Sequence, residues 1–470
     1  KRADPEAAAA RLARAAARFG PDDVVYLQYT SGSTSAPRGV VVRHRNLTHN
    51  LELIARNTRV DSESVLVGWV PLFHDMGLAG GILNAMYTGA RCIAFSSTTF
   101  LAAPRLWLEA IDRYRGTHIA GPNFGYDYVL RGLRDGDSFD LSSVRSTLQG
   151  GEPMLVATMD RFEAALSPMG FDPASFGNVY GMAEAVLFVC GRVGRKPTLL
   201  RGDRALLDRD GVIVAPAPGA PAVTLVGSGV PDAEWGVSVI AVDPVTRRPR
   251  PPYAVGELWI SSPSVSSGYW GRTEEENAAV FAARPATGNG PDDGRRFLRT
   301  GDLGVIGDDG EVFLCGRLKD LIIVGGRNIH PQDLEAAVVT ADPILRPGNA
   351  VAFGVRVDGV ERVVVVAELR KKVLRNSEPI PLDRAASAIR AAVTSHCGVQ
   401  CHEVLLMRPD SIPKTTSGKL RRTQCKHQWT VGSLRSSAIP GQRKPTLQTL
   451  PRARPGSGTC GTRRRPHATS

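Results

Sequence analysis

Short β-branched runs alternate with helix-period segments over the N-terminal half of the chain. Residues 24–28, 65–70, 92–95, 118–120 and 144–149 read as strands, and between them apolar positions recur every three or four residues. This alternation predicts an α/β plan, a sheet covered by helices. From about residue 212 to 262 the pattern changes to short strands broken by Pro and Gly, which predicts a smaller β-rich subdomain. A second unit follows: a strand at 321–324, a helix from Pro331, strands at 350–355 and 363–369, a helix at 382–395 and a strand at 403–407. Its boundary falls at 316–320. An Ala/Arg-rich helix, 5–18, opens the chain, and hydrophobic periodicity ends after Lys426.

A chain of 470 residues exceeds one compact core and implies two or three domains. The net charge of +12 is uneven: residues 427–470 hold eight Lys/Arg and no Asp or Glu, leaving +4 for the rest. That tail is rich in Arg, Pro, Ser, Thr and Gly, and its composition predicts disorder. A basic tail that contacts membrane or nucleic acid is the alternative, but the expectation is no nucleic-acid partner. The GxGxxG string at Gly456, Gly458 and Gly461 lacks a flanking strand and helix and is read as chance. Seven scattered cysteines fit a reducing cytoplasm better than a disulfide framework. No apolar run reaches membrane-spanning length, and no secretory signal is visible. His396, Cys397, Cys401 and His402 lie close together, but their spacing is not that of a zinc knuckle and no zinc is expected. His44 and His49, five apart, do not share a helical face.

The most informative stretch is YTSGSTSAPRG at 29–39, just after the first strand. Gly32 and Gly39 let the backbone turn tightly, Thr30, Ser31, Ser33 and Thr34 offer hydroxyls, and Arg38 adds positive charge. Such a loop suits phosphate, yet no GK[ST] ending makes it a Walker loop. Six further motifs follow: WVPLFHDMG at 69–77, GGEPM at 150–154, YGMAEA at 180–185, RTGDLG at 299–304, GRLKD at 316–320 and PKTTSGKLRR at 413–422.

In wording and order these motifs resemble the adenylate-forming superfamily, which includes acyl-CoA synthetases, peptide-synthetase adenylation domains and luciferases. The resemblance covers residues 26–426. It implies a large N-terminal α/β domain with a β-rich subdomain, 1–316, and a small mobile C-terminal α+β lid, 317–426, followed by the tail 427–470. QYTSGST at 28–34, PLFHDMGLAGGIL at 71–83, YGMAEAVLFV at 180–189 and GGRNIHPQDLE at 325–335 are similar to the fatty acyl-AMP ligases within it. About seventy residues separate Glu184 from Gly256, and the resemblance places an insertion near 197–230 that CoA-forming relatives lack and that restrains the lid.

For this chain the resemblance implies ATP-dependent activation of a fatty acid to acyl-AMP, then transfer to an acyl carrier protein for lipid or polyketide synthesis. An acyl-CoA synthetase is the runner-up. Joining a carboxylate to an α-phosphate brings two anions together, so charge neutralisation is the main task. The resemblance assigns it to Lys419, reaching from the lid. It places Asp302 on the ribose hydroxyls with Arg317 assisting, and Glu184 beside Mg²⁺. Gly151, Glu152 and Pro153 would lie along the adenine, with Tyr180 stacked on the base and Gly181 beside it. His74 is expected near the carboxylate entry rather than as a general base, because the acid is already ionised. Lys319 marks the hinge about which the lid rotates.

The chain departs from the family pattern at Arg38, where lysine is usual, at Gly151 for a common alanine and at Gly325 for arginine. Arg38 keeps the charge and changes the geometry. Relatives carry further sequence before the phosphate loop, so an N-terminal truncation is expected, and a catalytically silent chain is a third reading. A cytoplasmic monomer is expected.

Overall fold

The computed structural model describes residues 4–30, 37–191, 193–286, 294–325, 327–375, 379–415, 418–436 and 439. Among them a six-stranded sheet runs in the order Arg91–Ala94, Val65–Gly68, His118–Gly121, Ser146–Gly150, Phe176–Gly181, Phe188–Gly191. The first five strands are parallel and the last is antiparallel. Four of the short runs read from the sequence are strands of this sheet, shifted by a residue or two at their ends; the first, Val24–Tyr29, instead pairs antiparallel with Gly39–Arg43 in a sheet of its own, and the last two strands are not among the runs read from the sequence. Helices Leu106–Tyr114, Asn123–Leu130 and Val156–Leu166 bury an aromatic-rich core against the sheet, with Trp69, Trp107, Phe100, Tyr126, Phe162 and Phe176 all but inaccessible. Parallel strands require such crossover helices.

A consequence of parallel topology is that several strands end on the same side. The segments following Gly68, Gly121, Gly150 and Gly181 therefore meet in one crevice, where ligands bind in open α/β sheets.

The β-rich subdomain contains an antiparallel sheet, Ser238–Val242, Gly256–Ser261, Leu298–Ile306 and Val312–Arg317. Its register sets Asp302 opposite Arg317 on neighbouring strands. The segment expected as an insertion folds as the hairpin partners Leu199–Asp203 and Ala222–Val226 with the helix Arg204–Asp210 between them. Asp203 caps that helix by accepting from Leu206 N at 3.0 Å, and Gly211 ends it in a left-handed conformation.

After Arg317 the chain forms a second unit. Leu345–Val357 and Val360–Leu369 pair antiparallel, and Cys401–Met407 runs parallel to the latter. Helices Pro331–Thr340 and Leu382–Cys397 contribute to one buried cluster, whereas the helix Arg422–Thr430 packs on another. With both faces covered, Val363–Val366 is a continuous apolar run.

The expectation of disorder from residue 427 onward needs correction. The helix continues to Thr430, a short turn of helix spans Ser433–Ser436, and Trp429, Leu434 and Ile439 are buried. Trp429 Nε1 donates to Glu403 Oε2 at 2.6 Å, so the tail's first residues complete the second unit. Composition averaged over 427–470 hid these few anchors. Residues 440–470, with the GxGxxG string, lie outside the described residues. Among the described residues no helix is long and apolar enough to cross a membrane.

Candidate adenylation site

The crevice is built from strand ends. Trp69, Val70 and Pro71 follow the strand Val65–Gly68, Pro122 follows His118–Gly121, and Gly150 ends its own strand. With His74, Met76 and Lys419 they line a hollow of about 250 Å³, a volume that includes space open to solvent. Lys419 enters from the second unit on a tight loop. Lys419 N donates to Thr415 Oγ1 at 3.1 Å, Thr415 N donates to Lys419 O at 2.8 Å, and Lys414 bridges Leu420. Gly418 holds φ +87° and leaves room for Phe124: an added Cβ there would lie 2.8 Å from the Phe124 ring. On the opposite wall, a Cβ on Gly151 would lie 2.6 Å from Lys419 Nζ. The lid is thus closed on the crevice with its lysine against the GGEPM segment.

Burial lowers the Lys419 pKa, while Glu152 and Asp75 favour its charged form. Glu152 Oε1 accepts from Phe124 N at 2.9 Å, and burial raises the pKa of this carboxyl. Burial alone would raise Asp75 as well, but the hydrogen bond and charge of His74, with Lys419, outweigh it and hold the carboxyl low. His74 Nδ1 lies 2.6 Å from Asp75 Oδ1. The ammonium therefore faces two acidic side chains, all three groups partly buried, where such interactions are stronger than at an open surface.

A second cluster lies around Asp302. Its Oδ2 accepts from Tyr180 Oη at 3.0 Å, and its Oδ1 is 3.0 Å from Arg317 Nε. Burial, then the Asp302 charge, raises the Tyr180 pKa, so the phenol stays a donor. The Asp302 charge is the main cause of the raised Arg317 pKa. Tyr180 is almost fully buried, and its hydroxyl orients Asp302.

Glu184 forms a third. It sits on the turn Ala183–Ala185, after which Val186 takes φ 68° and ψ −61°, a strained γ-turn conformation for a β-branched residue. Glu184 Oε1 accepts from Tyr269 Oη at 2.8 Å, and the Arg38 guanidinium lies 5.2 Å from the centre of the Tyr269 ring. The phosphate loop closes at its neck, where Thr30 N donates to Arg38 O at 2.9 Å and Gly39 starts the returning strand. Ser31, Gly32, Ser33 and Thr34 lie outside the described residues.

Burial raises the Glu184 pKa, a cost that a bound divalent cation would offset. Among the described residues no group of three or more His, Cys, Asp and Glu could hold a metal. A single carboxylate suits an ion that takes most of its oxygens from substrate phosphates and water, as Mg²⁺ does. His396 Nε2 lies 3.5 Å from Arg204 Nη2, while Cys397 and Cys401 are buried in the core.

The structure brings Lys419, His74, Gly151 and Glu152 together, and separately Tyr180, Asp302 and Arg317; Asp302 and Arg317 also act on the Lys419 charge. Lys319 stands in the turn Leu318–Asp320 after Arg317 with its side chain largely exposed, and partial desolvation, then the Arg317 charge, lowers its pKa. Sequence reasoning missed Asp75, Trp69, Tyr269 and Arg422 as parts of the site. The first two and Arg422 lie inside motifs already singled out; Tyr269 carries no local signal.

The helix Arg204–Asp210 also touches the second unit. Arg204 pairs with Asp333, and Asp208 Oδ2 lies 2.8 Å from Arg327 Nη2. Arg204 and Asp208 are both buried at this contact.

A lysine-bearing lid over a parallel-sheet crevice, with a carboxylate and arginine on the lid-side sheet, defines an adenylate-forming enzyme. The AMP-binding enzyme family matches residues 1–270, and the chain belongs to that family. It is similar to the medium-chain-fatty-acid–[acyl-carrier-protein] ligase JamA of Moorena producens, 39% identical over 88% of this chain and 69% of that one. A solved structure from a study of fatty acyl-adenylate ligases from E. coli and L. pneumophila superposes with TM-score 0.78 at 32% identity, covering 89% of this chain and 72% of the other. The L. pneumophila ligase in complex with acyl adenylate and pyrophosphate superposes with TM-score 0.62 at 32% identity, covering 88% and 70%. The chain spans about two thirds of the length of its curated relatives.

Proposed function

We propose that this chain activates a fatty acid with ATP and passes the acyl group to an acyl carrier protein. In the first step a carboxylate oxygen attacks the α-phosphorus, an O–P bond forms, the bond to the bridging oxygen breaks and pyrophosphate leaves. In the second the carrier's thiol sulfur attacks the acyl carbon, AMP leaves and the thiol proton passes to solvent. The observation that carries the reading is Lys419, partly buried at the crevice beside Gly151 with Glu152 and Asp75 acting on its charge. An ammonium held there would neutralise both the incoming carboxylate and the α-phosphate oxygens.

Asp302, oriented by Tyr180 and Arg317, would accept the ribose hydroxyls, an ionised acceptor giving short, strong hydrogen bonds. Gly151, Glu152 and Pro153 would border the adenine, with Tyr180 and Gly181 behind it. Thr30, Ser31, Gly32, Ser33, Thr34, Arg38 and Gly39 would cradle the leaving phosphates. Glu184 would hold Mg²⁺, which supplies further neutralisation when bound. His74, fixed by Asp75, would flank the entering carboxylate without taking a proton.

Similarity to acyl-carrier-protein ligases supports a carrier over CoA, and the contact of Arg204 and Asp208 with the second unit would restrain the rotation of that unit. Mass spectrometry of products from fatty acid, ATP and Mg²⁺, with carrier or CoA added, tests the reading. Acyl-AMP discharged to carrier supports it; acyl-CoA as the main product overturns the choice of acceptor.

A further inference from the structure

Residues 266–270 tie two parts of the site together. On one side they run beside the strand Gly39–Arg43, which returns from the phosphate loop. Trp270 N donates to Gly39 O at 2.8 Å, Val41 N donates to Gly268 O at 3.0 Å, Ser266 Oγ donates to Val41 O at 2.7 Å, and Tyr269 and Val40 form an antiparallel bridge. On the other side the segment holds Glu184 twice. Ser266 N donates to Glu184 O at 2.9 Å, and Tyr269 Oη donates to Glu184 Oε1 at 2.8 Å. The backbone and the carboxylate of one residue are therefore fixed from the same short stretch of chain. The strained conformation of Val186, next but one after Glu184, persists only where surroundings impose it, and these two hydrogen bonds belong to those surroundings.

Tyr269 is itself firmly seated. Its N donates to Asn277 Oδ1 at 2.8 Å, and its ring, 9% exposed, meets Phe281 edge to face with centres 5.0 Å apart. A Cβ on Gly268 would lie 2.5 Å from Asn277 Cγ, so glycine there lets the helix Glu274–Phe281 pack against the segment. The same ring has the Arg38 guanidinium 5.2 Å from its centre. One side chain thus contacts Glu184 and the arginine at the neck of the phosphate loop.

We infer that Tyr269 is a positioning residue for the divalent cation: its hydroxyl fixes the Glu184 carboxylate relative to the phosphate loop, so that metal and nucleotide phosphates bind together. This rests on the adenylation reading and on Glu184 as the carboxylate beside Mg²⁺. A ligating carboxylate that loses the hydrogen bond orienting it typically loses about tenfold to a hundredfold in metal affinity. Tyr269→Phe removes only the hydroxyl and keeps the ring beside Arg38.

The test measures ATP affinity by isothermal titration calorimetry, with and without saturating Mg²⁺ and with no fatty acid present. Wild type should bind ATP more tightly with Mg²⁺. In Tyr269→Phe that gain should shrink about tenfold while the metal-free affinity holds. A general loss of structure would instead weaken both affinities and leave the gain unchanged. In a Glu184→Gln background, Tyr269→Phe should have no further effect on the gain, because it acts through that carboxylate. An unchanged or larger gain in Tyr269→Phe, or an equal effect in the Glu184→Gln background, overturns the inference while the adenylation reading stands. No gain from Mg²⁺ in wild type overturns the role of Glu184 as well. If Tyr269→Phe does not fold, Ser266→Ala, which frees the segment from Val41 O, takes its place: a smaller gain supports the inference and an unchanged one overturns it.

Discussion

Arg422 Nη1 lies 2.7 Å from Asp320 Oδ2, joining the end of the Lys419 loop to the turn Leu318–Asp320. The same guanidinium binds Glu335 through Nε and Nη2 at 3.0 and 2.9 Å. One planar fork thus fixes the Lys419 loop against both the turn Leu318–Asp320 and the helix Pro331–Thr340. Arg422→Lys keeps the charge but cannot span both acids. We expect kcat for adenylation to fall about tenfold with little change in KM for ATP, because the loop positions Lys419 rather than binding nucleotide. Steady-state pyrophosphate release measures this, and an unchanged kcat would contradict it.

Tyr180 offers a cleaner separation. Tyr180→Phe removes the hydroxyl that donates to Asp302 and keeps the buried ring. KM for ATP should rise about fivefold to tenfold, matching the loss of a hydrogen bond to a charged group, while the fatty acid KM stays put. A rise in the fatty acid KM instead would place Tyr180 on the acyl side.

The pH dependence follows from Lys419. Burial lowers its pKa, so the folded chain releases this proton more readily than the unfolded chain does. The group's contribution to stability therefore grows as pH rises through the folded value, while activity, which needs the ammonium, falls over the same interval. Glu152→Gln removes a carboxyl that favours the charged form and should move the alkaline limb of the pH–rate profile to lower pH. A limb that stays in place in Glu152→Gln would show that Glu152 does not act on Lys419.

Lid restraint has its own signature. Among the described residues, Arg327→Ala leaves Asp208 with the Arg204 guanidinium, 4.0 Å away, and loosens the contact between the helix Arg204–Asp210 and the second unit. Acyl-CoA formation should rise several-fold relative to carrier loading, and limited proteolysis near the hinge should quicken. Equal CoA exclusion in wild type and Arg327→Ala would remove the restraint from the account.

Much of this arrangement is legible in the sequence, for a physical reason. Strand ends and glycine turns have local signatures, so the α/β plan, the start of the second unit after 316–320 and the place of Lys419 can be read by pattern and motif. Pairings across the fold have none. Nothing near Glu184 points to Tyr269, eighty-five positions away, and nothing near Asp208 points to Arg327. The strain at Val186 is also hidden, because a β-branched residue at positive φ is held by its surroundings rather than by its own preference. The tail shows the opposite failure: basic, proline-rich composition outweighed Trp429, Leu434 and Ile439, three apolar side chains that the second unit buries.

Lysine-dependent adenylate formation tests the central claim most directly. Wild type and Lys419→Ala are incubated with fatty acid, ATP and Mg²⁺, and acyl-AMP is measured by mass spectrometry beside nucleotide affinity. The account predicts acyl-AMP from wild type and a loss of about a hundredfold or more in Lys419→Ala, with ATP affinity changed far less. Acyl-AMP formed equally by both proteins would contradict it.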